Sequence, residues 1–224
     1  MSRSYYFDRA VKFSLLDKIA FLARKQMFKM FMKLMKPYSH ESIIDIGVFG
    51  DSEDPNWNFL EYLYDDPKQI TAVGIDDAGF LERQYPGLKF VKIIPNMPLP
   101  FKENQFDIGF SSATIEHVGS RDKQMFFLEE AIRVSRRLFL TTPNRFYPVE
   151  FHTRLPFLHW LPQPVHRMIV SKIGLEFYSK EENLNLLSKK QLLNLVPPLY
   201  QTKIRLYTYR LFGLISNLIL VIEK

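Results

Sequence analysis

The chain has 224 residues, 46% hydrophobic and 24% charged, which suits one α/β domain with a substantial core and excludes a disordered, collagenous or two-domain protein. It has no cysteine, so disulfides, thiolate metal sites and cysteine nucleophiles are excluded. The net charge of +6 is unevenly placed: residues 1–40 hold nine Lys and Arg against Asp8 and Asp17, leaving the remainder nearly neutral.

Residues 8–36 contain no Pro or Gly, and their periodicity predicts a basic amphipathic helix ended by Pro37. Lys18, Lys25, Lys29, Lys33 and Lys36 share one stripe, with Phe, Leu, Ile and Met on the other faces. Such a helix caps the domain with its lysines in water; the stripe also suits peripheral contact with an anionic membrane surface. Charged residues interrupt every apolar run near the start that could serve as a signal peptide, and the run 211–222 is about half a bilayer span. A cytoplasmic location is therefore expected.

Residues 42–47 read as a buried strand, 56–64 as a helix and 70–76 as a second strand. A short helix over 78–85 precedes a third strand over 89–94. A fourth strand over 105–111, a helix over 123–135 and a fifth strand over 137–142 follow. This alternation implies parallel βαβ units and a sheet covered on both faces. Residues 143–174 break the rhythm, with Pro148, Pro156, Pro162 and Pro164 scattered among His152, His159, Trp160 and His166, predicting loop or short helix beyond a strand's carboxyl end. A helix over 187–196 and two apolar runs, 203–209 and 217–222, complete the chain, the runs suited to an antiparallel pair at a sheet edge. The expectation is one domain: a helical cap (1–40), a core (41–142), a Pro-rich lid (143–187) and a closing helix with edge strands (188–224).

In open α/β sheets ligands bind beyond the carboxyl ends of strands. The first strand closes on Asp45-Ile46-Gly47-Val48-Phe49-Gly50-Asp51, where glycine lets the backbone approach a ligand. The second closes on Asp76-Asp77, where a carboxylate can accept from both hydroxyls of a ribose. Beyond the fourth lie Ser111, Ser112, Glu116 and His117. Each also has a plainer reading: Glu116 as a cap, His117 as a histidine bonded to backbone, Asp107 as a turn residue. His152, His159 and His166 show no i, i+4 pair or carboxylate motif, so no metal site is expected.

Ile43-Ile44-Asp45-Ile46-Gly47, Val73-Gly74-Ile75-Asp76, Pro98-Leu99-Pro100-Phe101 to Phe106-Asp107, and Ser111 to Val118 together resemble the motifs of class I S-adenosylmethionine-dependent methyltransferases, more narrowly the methyltransferase type 11 group, over residues 42–144. The resemblance implies a Rossmann-like, seven-stranded, mostly parallel sheet with helices on both faces, and S-adenosylmethionine as cofactor. It implies that Asp45 anchors the cofactor's amino-acid end through the loop, beside Gly47, Val48 and Phe49. Asp76 and Asp77 would meet the ribose, backbone near Asn96 and Met97 the adenine, and Ser111 and Ser112 the methyl sulfonium. His117, with Glu116 or His152, would handle the acceptor's proton. Residues 116–144 and the Pro-rich segment resemble methyltransferases of bacterial surface-polysaccharide pathways, implying a small-molecule or glycan-like oxygen acceptor.

The sequence departs from the family where Phe49 and Asp51 replace further glycines, and where Pro95 stands in place of an acidic residue. A non-catalytic binding protein of the same fold accommodates those changes. A nicotinamide-dependent oxidoreductase does not fit, because Gly-x-Gly-x-x-Gly is absent after the first strand and no Tyr-x-x-x-Lys pair follows the fourth. Nucleic acid is not expected as a partner, since the chain beyond residue 40 is nearly neutral and its basic residues do not interleave with aromatics.

Overall fold

The computed structural model describes residues 15–50 and 57–224. In chain order these form α1 (Leu15–Met35), β1 (Ile43–Ile46), α2 (Phe59–Leu63), β2 (Ile70–Gly74), α3 (Phe80–Gln84), β3 (Lys89–Lys92), β4 (Phe106–Ser112), α4 (Arg121–Val134), β5 (Ser135–Pro143), α5 (Gln163–Lys172), α6 (Glu176–Ser179), α7 (Lys189–Leu193), β6 (Ile204–Leu211) and β7 (Leu214–Glu223).

All four residues of β1 are buried, as a strand covered on both faces requires. Its side chains divide by the two-residue period: Ile44 and Ile46 enter one core with α4 and α7, and Ile43 enters the other, under α1. The seven strands run in the order β3-β2-β1-β4-β5-β7-β6. The first five are parallel, and β7 joins β5 antiparallel and carries β6 at the edge. The chain order reverses between β1 and β4, which opens a crevice beyond their carboxyl ends.

Helix α1 buries Ala23, Met27, Phe31 and Met35, one residue every fourth position, and leaves Lys18, Lys25, Lys29, Lys33 and Lys36 exposed. The Phe31 ring meets Phe110 of β4 and Phe139 of β5 edge-on at 5.2 and 5.4 Å. Arg137 of β5 donates to the Met35 carbonyl and to Glu41, so a cation closes the helix's carbonyl end. Residues 8–14 of the expected helix lie outside the described residues. No helix among the described residues is long and apolar enough to cross a membrane.

Several boundaries differ from the sequence reading, each for a local reason. Ser120 accepts from the Lys123 amide and starts α4 two residues earlier than expected. The Ser135 hydroxyl donates back to the Ala131 carbonyl, and β5 begins at that serine. Phe212 and Gly213 both adopt positive φ, forming a tight hairpin turn that lengthens the last strand back to Leu214. Ser188 and Gln191 cap α7 reciprocally. Within the Pro-rich segment, Pro162 and Pro164 stand at the start of α5, where missing amides cost nothing, so ten residues there are helical.

Candidate active site

A cavity of about 460 Å³ lies across the carboxyl ends of β1, β2 and β4. Its first wall is the turn after β1, where the amides of Gly47 and Val48 both donate to the Val73 carbonyl of β2. Gly47 has φ +109°, and a Cβ there would lie 2.1 Å from the Thr114 hydroxyl oxygen. Glycine is required at this point as much by Thr114 as by a ligand. Phe49, in a place the family gives to glycine, is held by Asn58, whose side chain accepts from the Phe49 amide and donates to its carbonyl; the Phe49 ring stacks on Trp57 at 4.5 Å. Gly47, Val48, Phe49 and Trp57 all line the cavity.

The second wall follows β2 and β3. Asp76 lines the cavity with its carboxylate exposed. Asp77 does not line it; its carboxylate accepts from the Gly79 amide and closes the turn into α3. Asn96 and Met97 line it with Ile75 and Ile94, and Ile75, Ile94 and Met97 are each more than half exposed. This is an apolar slot beside the Asp76 carboxylate.

Asp45, Ser111 and Glu116 do not line the cavity. Ser111 is buried and donates to the Ile46 carbonyl, tying β4 to β1, whereas Ser112 reaches the cavity and shares a hydrogen bond with Thr141. Asp45 is buried against Glu61 of α2. Burial raises the pKa of both carboxyls, Glu61 to about 7, and the neighbouring Glu61 carboxyl pushes Asp45 up further, because a second charge there is unfavourable out of water.

The third wall is a cluster that the sequence scatters over 68 positions. His117 follows β4 in a single helical turn, and His152 comes from the segment after β5. Their Nε2 atoms are 3.0 Å apart. The outer nitrogens are both engaged: His117 Nδ1 lies 2.7 Å from the Asn183 carbonyl, and His152 Nδ1 lies 2.5 Å from Glu150 Oε1. Glu150 also accepts from the amides of His152 and Thr153. Behind them, Glu116 is fully buried; Thr142 donates to its Oε2, while its Oε1 has no hydrogen-bond partner and stands 4.0 Å from His117 Nε2.

Charge in this cluster is divided unequally. Burial pushes Glu116 up to about 7, although the charge of His152 pulls the other way. Burial and the neighbouring His152 hold His117 down at about 3. Burial also opposes charge on His152 and Glu150, but their close pairing outweighs it: His152 is raised, and Glu150 is held at about 2.

The sequence reading placed Glu116, His117 and His152 near one another, and these three come together, with both histidines lining the cavity. It missed Glu150, Asn183, Glu61 and the cavity-lining Arg24. A carboxylate two residues before His152 was the one available signal. His159 and His166 stand apart from the cluster, His159 bonded to the Tyr147 carbonyl.

No family model and no curated protein matches the chain. Solved structures do. A protein from Pyrococcus horikoshii is 14% identical, with 98% of each chain covered and a TM-score of 0.60. An S-adenosylmethionine-dependent methyltransferase from Thermotoga maritima, described as a possible histamine N-methyltransferase, is 16% identical over 95% of this chain and 93% of that one, with a TM-score of 0.55. The N-terminal domain of EvdMO1 was solved with S-adenosylhomocysteine bound (14% identity, 92% and 80% covered, TM-score 0.53) and also in the presence of D-fucose. With the strand order, the crevice at the β1/β4 reversal and these likenesses together, the chain has the fold of the class I S-adenosylmethionine-dependent methyltransferases.

Proposed function

We propose that the protein transfers a methyl group from S-adenosylmethionine to the oxygen of a small-molecule or glycan-like acceptor. The observation that carries this reading is the cavity itself, which has a carboxylate and an apolar slot at one end and a proton-accepting histidine pair at the other. The residues present fit the cofactor. Asp76 is placed to accept from ribose hydroxyls, and Ile75, Ile94 and Met97 offer the apolar contact a purine face needs. Bound there, the cofactor supplies an electrophilic methyl carbon: an acceptor lone pair forms the new bond as the carbon–sulfur pair returns to sulfur.

This chain's own residues then have two tasks. The walls hold acceptor and methyl group in line and keep water out. The histidine pair takes the acceptor's proton. In the neutral form of the pair each Nδ1 proton is bonded outward, to Asn183 and to Glu150, and the two Nε2 atoms carry lone pairs; the proton taken from the acceptor then lies between them in an N–H···N bond, on His152, whose charge Glu150 balances. An oxygen acceptor is favoured because a hydroxyl must lose a proton to react. A cavity of this size suits a nucleoside and a small acceptor group such as one sugar ring, and the presence of D-fucose with the EvdMO1 domain supports a glycan-like acceptor.

Calorimetric titration with S-adenosylmethionine and S-adenosylhomocysteine tests the reading. Both bind the wild type, and Asp76→Ala weakens them at least about tenfold through the lost charge-assisted hydrogen bonds. Absence of binding to the wild type defeats the cofactor assignment, and unchanged affinity in the variant defeats the role of Asp76.

A further inference from the structure

The cluster has a feature that proton transfer does not use. Glu116 Oε1 is a buried carboxylate oxygen without a hydrogen-bond partner, and it, His117 Nε2 and His152 Nε2 all lie within 4.8 Å of one another. A buried carboxyl oxygen left unsatisfied beside two imidazoles is costly unless a proton or a metal cation joins it. The surroundings are those of metal-ligating histidines, which donate their second ring nitrogen to a carboxylate or a backbone carbonyl. Here His152 does so to Glu150 and His117 to Asn183, while Thr142 steadies the other oxygen of Glu116.

We propose that Glu116, His117 and His152 form a binding site for a divalent transition-metal ion such as Zn²⁺ or Co²⁺. With metal–nitrogen bonds of about 2.1 Å, nitrogens 3.0 Å apart subtend about 90° at the ion. In a tetrahedral shell with such bonds, ligand atoms lie about 3.4 Å apart, so the Glu116 oxygen, 4.0 Å from His117 Nε2 and within 4.8 Å of His152 Nε2, closes the triad by moving toward the histidines by about 1 Å. Two imidazoles and one carboxylate suit Zn²⁺, Co²⁺ or Fe²⁺, whereas Mg²⁺ and Ca²⁺ take all-oxygen shells. Because both histidines line the cavity, the remaining coordination positions face the acceptor. The site stands without the methyl-transfer reading, but its role rests on it: in the metal-bound form the ion takes the place of the shared proton, the histidines serve as ligands instead of as the base, and an acceptor hydroxyl on the ion loses its proton to a water held at a remaining coordination position.

Full-length protein treated with chelator is titrated with Co²⁺, followed by its d–d absorption, and with Zn²⁺ by calorimetry. S-adenosylhomocysteine is titrated in parallel as the control for a folded cavity. One ion binds per chain; His152→Ala and the isosteric Glu116→Gln each weaken it by about 10- to 100-fold or more, and the exposed His40→Gln leaves it unchanged. A wild type that takes up no Co²⁺ or Zn²⁺ at millimolar concentration overturns the proposal, as does unaltered binding in Glu116→Gln, or preference for Mg²⁺. S-adenosylhomocysteine binding without metal uptake defeats the ion alone, and metal uptake without S-adenosylhomocysteine binding defeats the methyl-transfer reading alone.

Discussion

Two buried acidic groups flank the crevice and meet the cost of burial differently. On the β1 side, Asp45 faces Glu61, acid against acid, and holding a proton is what relieves the repulsion. On the β4 side, Glu150 faces His152, and separated charges are stable because each is hydrogen-bonded to the other. In the first arrangement neither carboxyl reaches the cavity. The second brings two imidazole rings to its wall. Burial thus perturbs both, and only the presence of a base beside the acid turns the perturbation into chemistry.

The largest effect that tests this contrast is on turnover. His117→Gln keeps a side chain able to meet Asn183 but removes the imidazole lone pair, and should lower turnover by about 10²- to 10⁴-fold. Its affinity for S-adenosylhomocysteine should stay within about threefold of wild type. A matching loss of affinity in calorimetry would place His117 among structural groups and erase the distinction between the two clusters.

The acid pair should register in stability instead. The pKa of Glu61 is raised from 4.5 to about 7 on folding. Between those values the unfolded chain has lost a proton that the native state keeps. The native state therefore binds more protons, and stability falls as pH rises through that window. Glu61→Gln should flatten the profile, with a relative gain of up to about 3 kcal/mol above pH 7 and little below pH 4.5. Parallel denaturation curves for wild type and variant at every pH would show that the pair is not buried as described.

A smaller effect is expected at Glu150, which orients His152 without lining the cavity. Glu150→Gln leaves one oxygen, which at the Oε1 position still meets the two donors of His152, but it turns an amide toward the Thr153 N–H and removes the charge that balances a protonated histidine pair. Turnover should fall by about tenfold, mostly in kcat with KM little changed. An effect confined to thermal stability would reduce Glu150 to a turn residue.

The sequence exposed the parts of these clusters that lie in contiguous motifs. Asp45, Gly47, Asp76, Glu116 and His117 sit where strands end, and the end of a parallel strand is where an α/β sheet binds its ligands. Their partners were hidden for physical reasons. Asn183 reaches His117 across 66 residues, and that contact is to a carbonyl, which no side chain announces. Glu61 occupies an inward position of α2 that hydrophobic periodicity assigns to an apolar residue. Arg24 belongs to a helix read as a lysine stripe, although it faces the cavity. Phe49 looked like damage to a glycine loop, and the Asn58 clasp that accommodates it lies nine residues on.

The smallest effect is expected where the formal charge is greatest. Lys18, Lys25, Lys29, Lys33 and Lys36 outnumber the charged groups of either cluster, yet all five are exposed, and water screens them. Changing the five to Gln should alter unfolding free energy by less than about 0.5 kcal/mol. Phe31→Ala in the same segment should cost about 3–5 kcal/mol, because its ring fills the space between Phe110 and Phe139. The apolar face that a membrane-surface helix would insert is thus already occupied by the sheet, with Met27, Phe31 and Met35 buried. Among the described residues of α1, what remains for an anionic surface is the lysine stripe with Leu22 and Met32 beside it, and lysine attraction alone, about 1 kcal/mol per residue near such a surface, fades as salt shortens the screening length. Sedimentation with anionic vesicles should therefore show no retention at physiological salt, in wild type and in the five-lysine variant alike. Salt-resistant binding of the wild type, lost in the variant, would mean that α1 leaves the sheet to meet the membrane.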